Sequence, residues 1–366
     1  MEFTNKMKYL LVTTEYSPYR GGVAHYYGNL VKHWHEHIEV LTNRSGKLID
    51  ERLPFLKWLP SLYWIAREIK AQKIDYVMVG QILPVGTAVW LLSWVMNFKY
   101  CVFLHGLDLS MTYETPWKKW LGQQILNRAD KIICANSRTA AEARGLVLPV
   151  RINKVVVVNP GIDTKPRVYD EVVIRDLKQR YDLRGKAVLL TVGRLVRRKG
   201  VDLVLEALAA CTDKSLVYVI IGSGPEEASI KELIHELGLQ DQVRLLLDVD
   251  DEEKAHWFQV ADIFVMTSRD EAGDYEGFGI VYLEAGLAGK PVIAARGGGV
   301  ADAVIDKETG LLVKPGDINE LKAAIIKLRN YEGLRIRLGD NGRRRAQSEF
   351  NWEGQAGKIF DIIAEQ

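Results

Sequence analysis

Apolar and polar positions change period repeatedly along the chain. The runs Tyr9–Thr14, Tyr76–Val79, Tyr100–Leu104, Ile132–Ala135 and Val155–Val158 are apolar on both faces, and between them lie amphipathic stretches such as Val23–His35, Leu62–Ala71 and Trp117–Arg128. A strand apolar on both faces is covered on both faces, as in a parallel sheet between two helix layers. The alternation therefore predicts an α/β architecture with a doubly wound parallel sheet. It pauses at Pro160-Gly161 and the polar stretch Asp163–Asp170. It restarts at Ala187–Val192 and continues through Leu216–Ile221, Val243–Leu247, Ile263–Thr267, Val292–Ala295 and Leu311–Val313, and the tail Ala323–Glu365 reads as helices. The expectation is two Rossmann-like domains, 1–165 and 166–345, with a C-terminal helix in 346–366 packing back toward the first. A length of 366 residues suits two cores rather than one.

The most apolar segment, Ile82–Phe98, holds Pro84 near its start and Asn97 near its end. It is short for a membrane span and reads as a buried crossover helix. The start, Met1–Lys8, lacks the apolar stretch of a secretory signal. Cys101, Cys134 and Cys211 are odd in number, widely spaced and set in apolar surroundings, which points to free thiols in a reducing compartment and hence the cytoplasm. Net charge is +2, but residues 1–165 hold 21 Lys+Arg and 13 Asp+Glu, and the rest of the chain is acidic on balance. A basic first half favours an anionic partner there, either a phosphorylated acceptor or an acidic membrane surface; scattered surface charge is the alternative. Nucleic acid is not an expected partner.

Open parallel sheets bind ligands beyond the carboxyl ends of their strands, and the candidate chemistry falls in loops of that kind. Gly21-Gly22-Val23 follows the first strand and opens a helix, where paired glycines let backbone amides approach a phosphate. A tight turn needing positive φ explains the pair almost as well. His105-Gly106-Leu107-Asp108 ends the strand Tyr100–Leu104 and places His105 to face a ligand or to cap its own loop. Gly193-Arg194-Leu195 with Arg197-Arg198-Lys199-Gly200 follows Ala187–Val192; cations there suit a diphosphate, Arg194 as a fork and Lys199 as a point charge. Glu276-Gly277-Phe278-Gly279-Ile280-Val281-Tyr282-Leu283-Glu284 sets a carboxylate before a glycine loop that opens a helix. Amides at Phe278, Gly279 and Ile280 are placed to receive phosphate oxygens, Glu284 to accept ribose hydroxyls and Glu276 to hold sugar hydroxyls.

Gly222-Ser223-Gly224-Pro225 is a strand-to-helix turn, and Gly222 is a candidate donor contact. The turn is not a full dinucleotide fingerprint. Asp248-Val249-Asp250 matches a metal-binding D-x-D, but Asp250 and Asp251 stand where they would cap the helix Glu252–Ala261. His25, His33, His35 and His37 read as a solvated face. No metal and no cofactor are expected.

Taken together, these motifs resemble glycosyltransferase family four, the large group of retaining GT-B enzymes. The resemblance runs from Gly21-Gly22 through His105-Gly106, Asn159-Pro160-Gly161-Ile162-Asp163, Arg194, Lys199 and Glu276…Glu284 to Gly297-Gly298-Gly299 and Thr309-Gly310-Leu311-Leu312-Val313. The segment Glu276–Ala285 and its lead-in Ser268–Asp274 are similar to those of bacterial phosphatidylinositol mannosyltransferases. One departure is Asp302, where the family usually has Glu. The resemblance implies a GT-B fold, with two parallel sheets facing a central cleft. It also implies metal-independent transfer of a hexose with retention, from a nucleotide-diphosphate sugar such as GDP-mannose to a lipid-linked or glycan acceptor. His105, Arg194, Lys199 and Glu276 would be catalytic, and Gly22, Gly193, Gly222, Phe278, Gly279, Ile280 and Glu284 would bind the donor. The rival readings are a non-catalytic nucleotide-sugar-binding subunit and a GT-B sugar phosphorylase. The aromatic and basic stretch Arg52–Trp64 is a candidate membrane contact or an acceptor-pocket wall.

Overall fold

The structure is a computed structural model and describes residues 6–18, 21–53, 56–165, 169–271 and 274–365. The chain divides into two compact units, residues 1–161 with 352–366, and residues 162–351.

In the first unit the strands are β1 (Tyr9–Thr13), β2 (Ile38–Thr42), β3 (Tyr76–Val79), β4 (Lys99–Leu104), β5 (Lys131–Cys134) and β6 (Val155–Val157). They form one parallel sheet in the order β2-β1-β3-β4-β5-β6. The helices are α1 (Gly22–Lys32), α2 (Leu59–Gln72), α3 (Val85–Leu92), α4 (Leu107–Tyr113), α5 (Pro116–Arg128) and α6 (Ser137–Arg144). The two-residue period of a strand sorts its side chains into two layers. Leu10, Val12, Val77, Val79, Val102 and Leu104 pack with α2, α3, α5 and α6. Tyr9, Leu11, Tyr76, Met78, Cys101 and Phe103 pack with α1. Cys101, Cys134 and Cys211 are free and buried. The segment expected as a crossover helix is α3, and no helix of the described residues is long and apolar enough to cross a membrane.

Strand β2 has no counterpart in the sequence reading. It is an edge strand, half-buried along most of its length, with Glu39 and Thr42 interrupting its apolar residues. An edge strand needs only one covered side, so the continuous apolar run that marks the central strands is missing.

The second unit repeats the plan with β7 (Ala187–Val192), β8 (Leu216–Ile221), β9 (Val243–Leu246), β10 (Ile263–Met266), β11 (Val292–Ala295) and β12 (Gly310–Val313). All are parallel, in the order β12-β11-β10-β7-β8-β9. Its helices are α7 (Glu171–Arg180), α8 (Val201–Ala210), α9 (Glu227–Glu236), α10 (Asp251–Val260), α11 (Ile280–Leu287), α12 (Val300–Ala303), α13 (Ile318–Asn330) and α14 (Glu332–Glu349). Val217, Val219 and Ile221 enter one core layer, and Leu216, Tyr218 and Ile220 the other. Asp250 caps α10 by accepting the Glu253 amide at 2.8 Å.

The last helix, α15 (Trp352–Ala364), belongs to the first unit. Gly161 lies so close to it that a Cβ would stand 2.7 Å from the Trp352 ring. Trp352 is 3% exposed and meets Tyr26 edge-on at 5.3 Å. Ile359 and Ile363 complete the layer with α1. Truncating Trp352 leaves a cavity that backbone held by a six-stranded sheet cannot collapse to fill. Trp352→Ala should cost about 3–5 kcal/mol in the unfolding of the first unit, measured by urea denaturation.

Candidate functional site

Strand order in the second unit reverses between β7 and β10, and ligands of open α/β sheets bind beyond the strand ends at such a point. The loops after β7 and β10 are stitched together there. Gly200 has φ +70, and a Cβ on it would stand 2.2 Å from the Thr267 carbonyl. Thr267 Oγ1 donates to the Gly200 carbonyl at 3.1 Å, and the Arg269 amide donates to the Arg198 carbonyl at 2.8 Å. The β7 loop also rests on the β8 loop. Gly222 has φ +141, and any side chain there would collide with the Gly193 carbonyl 2.0 Å away. Gly222 thus has a packing reason to be glycine, whatever it contributes to a ligand. Gly193 itself has φ +154 and sits beside the Lys199 stem.

These loops converge on Glu276. Its carboxylate is buried, and Oε2 accepts from Lys199 Nζ at 2.6 Å, Arg198 Nη1 at 2.7 Å and Ser268 Oγ at 3.4 Å. Its carbonyl accepts from the Gly299 amide at 2.9 Å. Burial would raise the Glu276 pKa, but the charges of Lys199 and Arg198 outweigh it and hold the carboxyl below its ordinary 4.5. Arg198 is further fixed by Asp274 at 3.1 Å. The two cations read as diphosphate partners, Arg194 and Lys199, therefore stand in different surroundings. Lys199 is committed to a carboxylate, whereas Arg194 is exposed and has no side-chain partner among the described residues. Arg198 was not singled out in the sequence; in a run of three cations, only loop geometry decides which of them turn inward. Of the lead-in Ser268–Asp274, residues 272 and 273 lie outside the described residues.

Next to this cluster begins α11. Gly279 takes the left-handed conformation at φ +78, and a Cβ would stand 2.4 Å from the Tyr282 ring. The Phe278 ring is buried against Phe350 at 5.6 Å, so Phe278 can offer a ligand only its main chain. The amides of Phe278 and Gly279 donate to no acceptor among the described residues. Those of Ile280 and Val281 belong to the first turn, which has no intrahelical acceptor. The helix start is therefore a set of donors suited to phosphate oxygens, with the positive end of the helix dipole behind them. Glu284 lies further along α11, half-buried, 3.8 Å from Lys254 Nζ.

In the first unit, His105 ends β4. Its Nε2 lies 2.9 Å from the hydroxyl of buried Tyr27, which lies 2.7 Å from the Gly80 carbonyl. A carbonyl only accepts, so the single Tyr27 proton goes to Gly80, and His105 must donate Nε2–H to the Tyr27 oxygen. In the neutral ring this leaves the lone pair on Nδ1, which makes no hydrogen bond among the described residues. Burial lowers its pKa from 6.5 to about 4. The His105 amide donates to Asp108 at 2.7 Å, and burial pushes the Asp108 carboxyl up to about 7. Gly21 is extended at φ 177 and neither it nor Gly22 takes the left-handed conformation, which removes the tight-turn explanation for them, and a Cβ on either would meet no described atom within 4 Å.

The two parallel α/β units place the protein in the GT-B class. HepE of Anabaena, solved in complex with UDP, superposes with a TM-score of 0.81 over 99% of this chain and all of that one, at 21% identity. Residues 173–345 match the family model of glycosyl transferases group 1, and residues 20–166 match that of glycosyltransferase family 4. The chain belongs to this family. Among curated relatives, the GDP-mannose-dependent alpha-(1-6)-phosphatidylinositol monomannoside mannosyltransferase of Mycobacterium tuberculosis is 32% identical over 56% of this chain. The matched region spans 54% of that relative's length. The protein of the same description from Mycolicibacterium smegmatis is 26% identical over 97% of this chain and 98% of its own.

Two tests follow from the geometry. Because the Glu276 pKa is lowered on folding, its contribution to stability is present above pH 4.5 and is lost as pH falls below that value. Glu276→Gln should therefore destabilise the second unit at neutral pH, and its deficit relative to the unmodified protein should shrink in acid, as read by urea midpoints across pH. The His105 ring should titrate near pH 4 rather than 6.5 by NMR and show the Nε2–H tautomer, and Tyr27→Phe should remove that tautomer preference.

Proposed function

We propose that the protein transfers a hexose from a nucleotide-diphosphate sugar to an acceptor hydroxyl. The observation that carries this reading is the pairing of a cation cluster with the open amides of α11 at the switch point of the second sheet. The charge that must be met in such a reaction is that of the departing diphosphate. Arg194, uncommitted and exposed, supplies a bidentate fork for it, and the amides of Phe278, Gly279 and Ile280 supply oriented donors. Lys199 and Arg198 are balanced by Glu276 and Asp274, so this cluster holds the loops in place and leaves Arg194 as the uncompensated charge. In this reading Glu276 holds a sugar hydroxyl with its second oxygen. Glu284 serves the ribose, and Gly22 and Gly193 bring main chain close to the donor.

In this reading the acceptor oxygen bonds to the anomeric carbon as the bond to the phosphate oxygen breaks. The electron pair leaves with the nucleoside diphosphate, and a phosphate oxygen on the same face takes the hydroxyl proton. Configuration is retained, and neither a metal nor an enzymic base is required. His105 is the residue that the family resemblance assigns to the sugar. Its neutral imidazole, fixed by Tyr27, presents Nδ1 as an acceptor. The phosphatidylinositol mannosyltransferase relatives support GDP-mannose as donor and a lipid-linked or glycan acceptor. An anionic membrane surface as partner, with the protein on its cytoplasmic side, belongs to the same reading.

Arg194→Ala and Lys199→Ala should each lower kcat by about 10²–10³, roughly 2.7–4 kcal/mol of barrier, by comparison with removal of one oxyanion donor. Rates are to be measured with GDP-mannose beside UDP- and ADP-sugars. Near-normal turnover in either variant would remove the electrostatic account, and donor binding without slow donor hydrolysis would favour a non-catalytic subunit. Faster phosphorolysis than transfer would favour a phosphorylase.

A further inference from the structure

The outer surface of the helix layer on one side of the first sheet is aromatic to an unusual degree. Trp94 is 64% exposed, Val95 79%, Trp117 60% and Trp120 56%. Large apolar side chains standing that far out need a reason when they gather on neighbouring elements. Helices α2, α3 and α5 are adjacent, and α4 packs on α5. Along α5, Leu121, Gly122, Ile125 and Leu126 are buried, while Trp117, Trp120 and Arg128 are exposed. Trp94 follows the end of α3 beside them.

The display of these rings is built into the fold. Arg128 reaches from the end of α5 to Ser93, donating to its Oγ and its carbonyl at 2.6 Å each, and lays its guanidinium 4.0 Å from the Trp94 ring. Lys119 lies over the Tyr113 ring at 5.3 Å. No charged residue occurs from Tyr76 to Phe98, and α5 carries Lys118, Lys119 and Arg128 with no acidic residue.

The stretch Arg52–Trp64, read from sequence as a membrane contact or an acceptor-pocket wall, is only partly available to a membrane. Trp58 and Trp64 pack against the core, and Trp64 is flanked by Lys47 and Arg67. Tyr63 remains exposed, and Pro54 and Phe55 lie outside the described residues.

We propose that the α3–α5 face docks on an anionic lipid bilayer, with Trp94, Trp117 and Trp120 entering the headgroup layer and Lys119 and Arg128 meeting lipid phosphates. The core of a protein–protein interface is depleted of lysine, although tryptophan and arginine are enriched there, so Lys119 among the rings is the feature that favours lipid. Here cations stand over and between the rings, the arrangement that suits a boundary with an apolar side and a negatively charged wet side. This deepens the proposed lipid-linked acceptor by naming the face that meets the membrane, and it rests on that reading for its biological sense. Its test, however, needs no sugar transfer.

Co-flotation of the full chain with phosphatidylcholine vesicles, with and without phosphatidylglycerol, reads binding directly. Binding is expected only to the phosphatidylglycerol-containing vesicles, weakening as salt rises, with a blue shift of tryptophan fluorescence. The triple variant Trp94→Ser/Trp117→Ser/Trp120→Ser should bind at least about tenfold more weakly, since it removes the apolar area that enters the headgroup layer. Lys119→Glu should weaken binding to anionic vesicles while leaving the thermal unfolding midpoint in place. Three outcomes would overturn the proposal: no vesicle binding by the unmodified chain, vesicle binding that the triple variant leaves unchanged, or self-association in the ultracentrifuge that the triple variant abolishes, which would assign the face to a second copy. Because every readout is lipid binding or mass, failure here is distinguishable from failure of the transferase reading.

Discussion

A carboxylate taken out of water must be neutralised where it lies, and the second unit is organised around one such group. Desolvating Glu276 is unfavourable by several kcal/mol unless cations and hydrogen-bond donors compensate. Lys199 and Arg198 come from the loop after β7, Ser268 from the loop after β10, and the amide that holds the Glu276 carbonyl from the loop after β11. One buried charge thus ties three strand ends together. The glycines of these loops follow from that closeness. At Gly200, Gly222 and Gly298 a side chain would overlap a neighbouring carbonyl.

The same cluster separates the structural cations from the available one. With Lys199 and Arg198 held by the carboxylate, Arg194 is the exposed cation of this loop with no side-chain partner among the described residues. Preorganised donors are worth more than flexible ones because they need no reorganisation when charge develops. A helix start pinned by Gly279 and the buried Phe278 ring is preorganised in that sense. The first unit uses a neutral version of the device. Tyr27 passes its proton to Gly80 and thereby dictates which nitrogen of His105 carries hydrogen. The electrostatics of the two units differ accordingly, with a compensated ion cluster in one and a desolvated, uncharged imidazole in the other.

Much of this was legible along the chain because burial on both faces leaves a plain mark. The central strands of both sheets stand out as continuous apolar runs, and Ala187–Val192, Leu216–Ile221 and Val292–Ala295 were bounded to the residue. Strand β2 was not, since an edge strand needs no such run. Glu276, Lys199 and His105 were marked by their place after strands, a consequence of topology that sequence patterns carry. Arg198 and Tyr27 were not. Arg198 is one of three adjacent cations, and Tyr27 sits in an ordinary aromatic helix face beside Tyr26, where the pattern registers burial but not the direction of a hydroxyl.

The amino-acid sequence by itself determined the α/β class, the two parallel sheets, the loops that hold the chemistry and the family to which the chain belongs. These depend on local periodicity and on short motifs, which are properties of neighbouring residues. Only the tertiary structure decided which cation pairs with Glu276, which nitrogen of His105 is protonated, and which tryptophans face outward. Each of those depends on groups far apart in the chain meeting at hydrogen-bond distance or failing to be covered, and no local pattern encodes that.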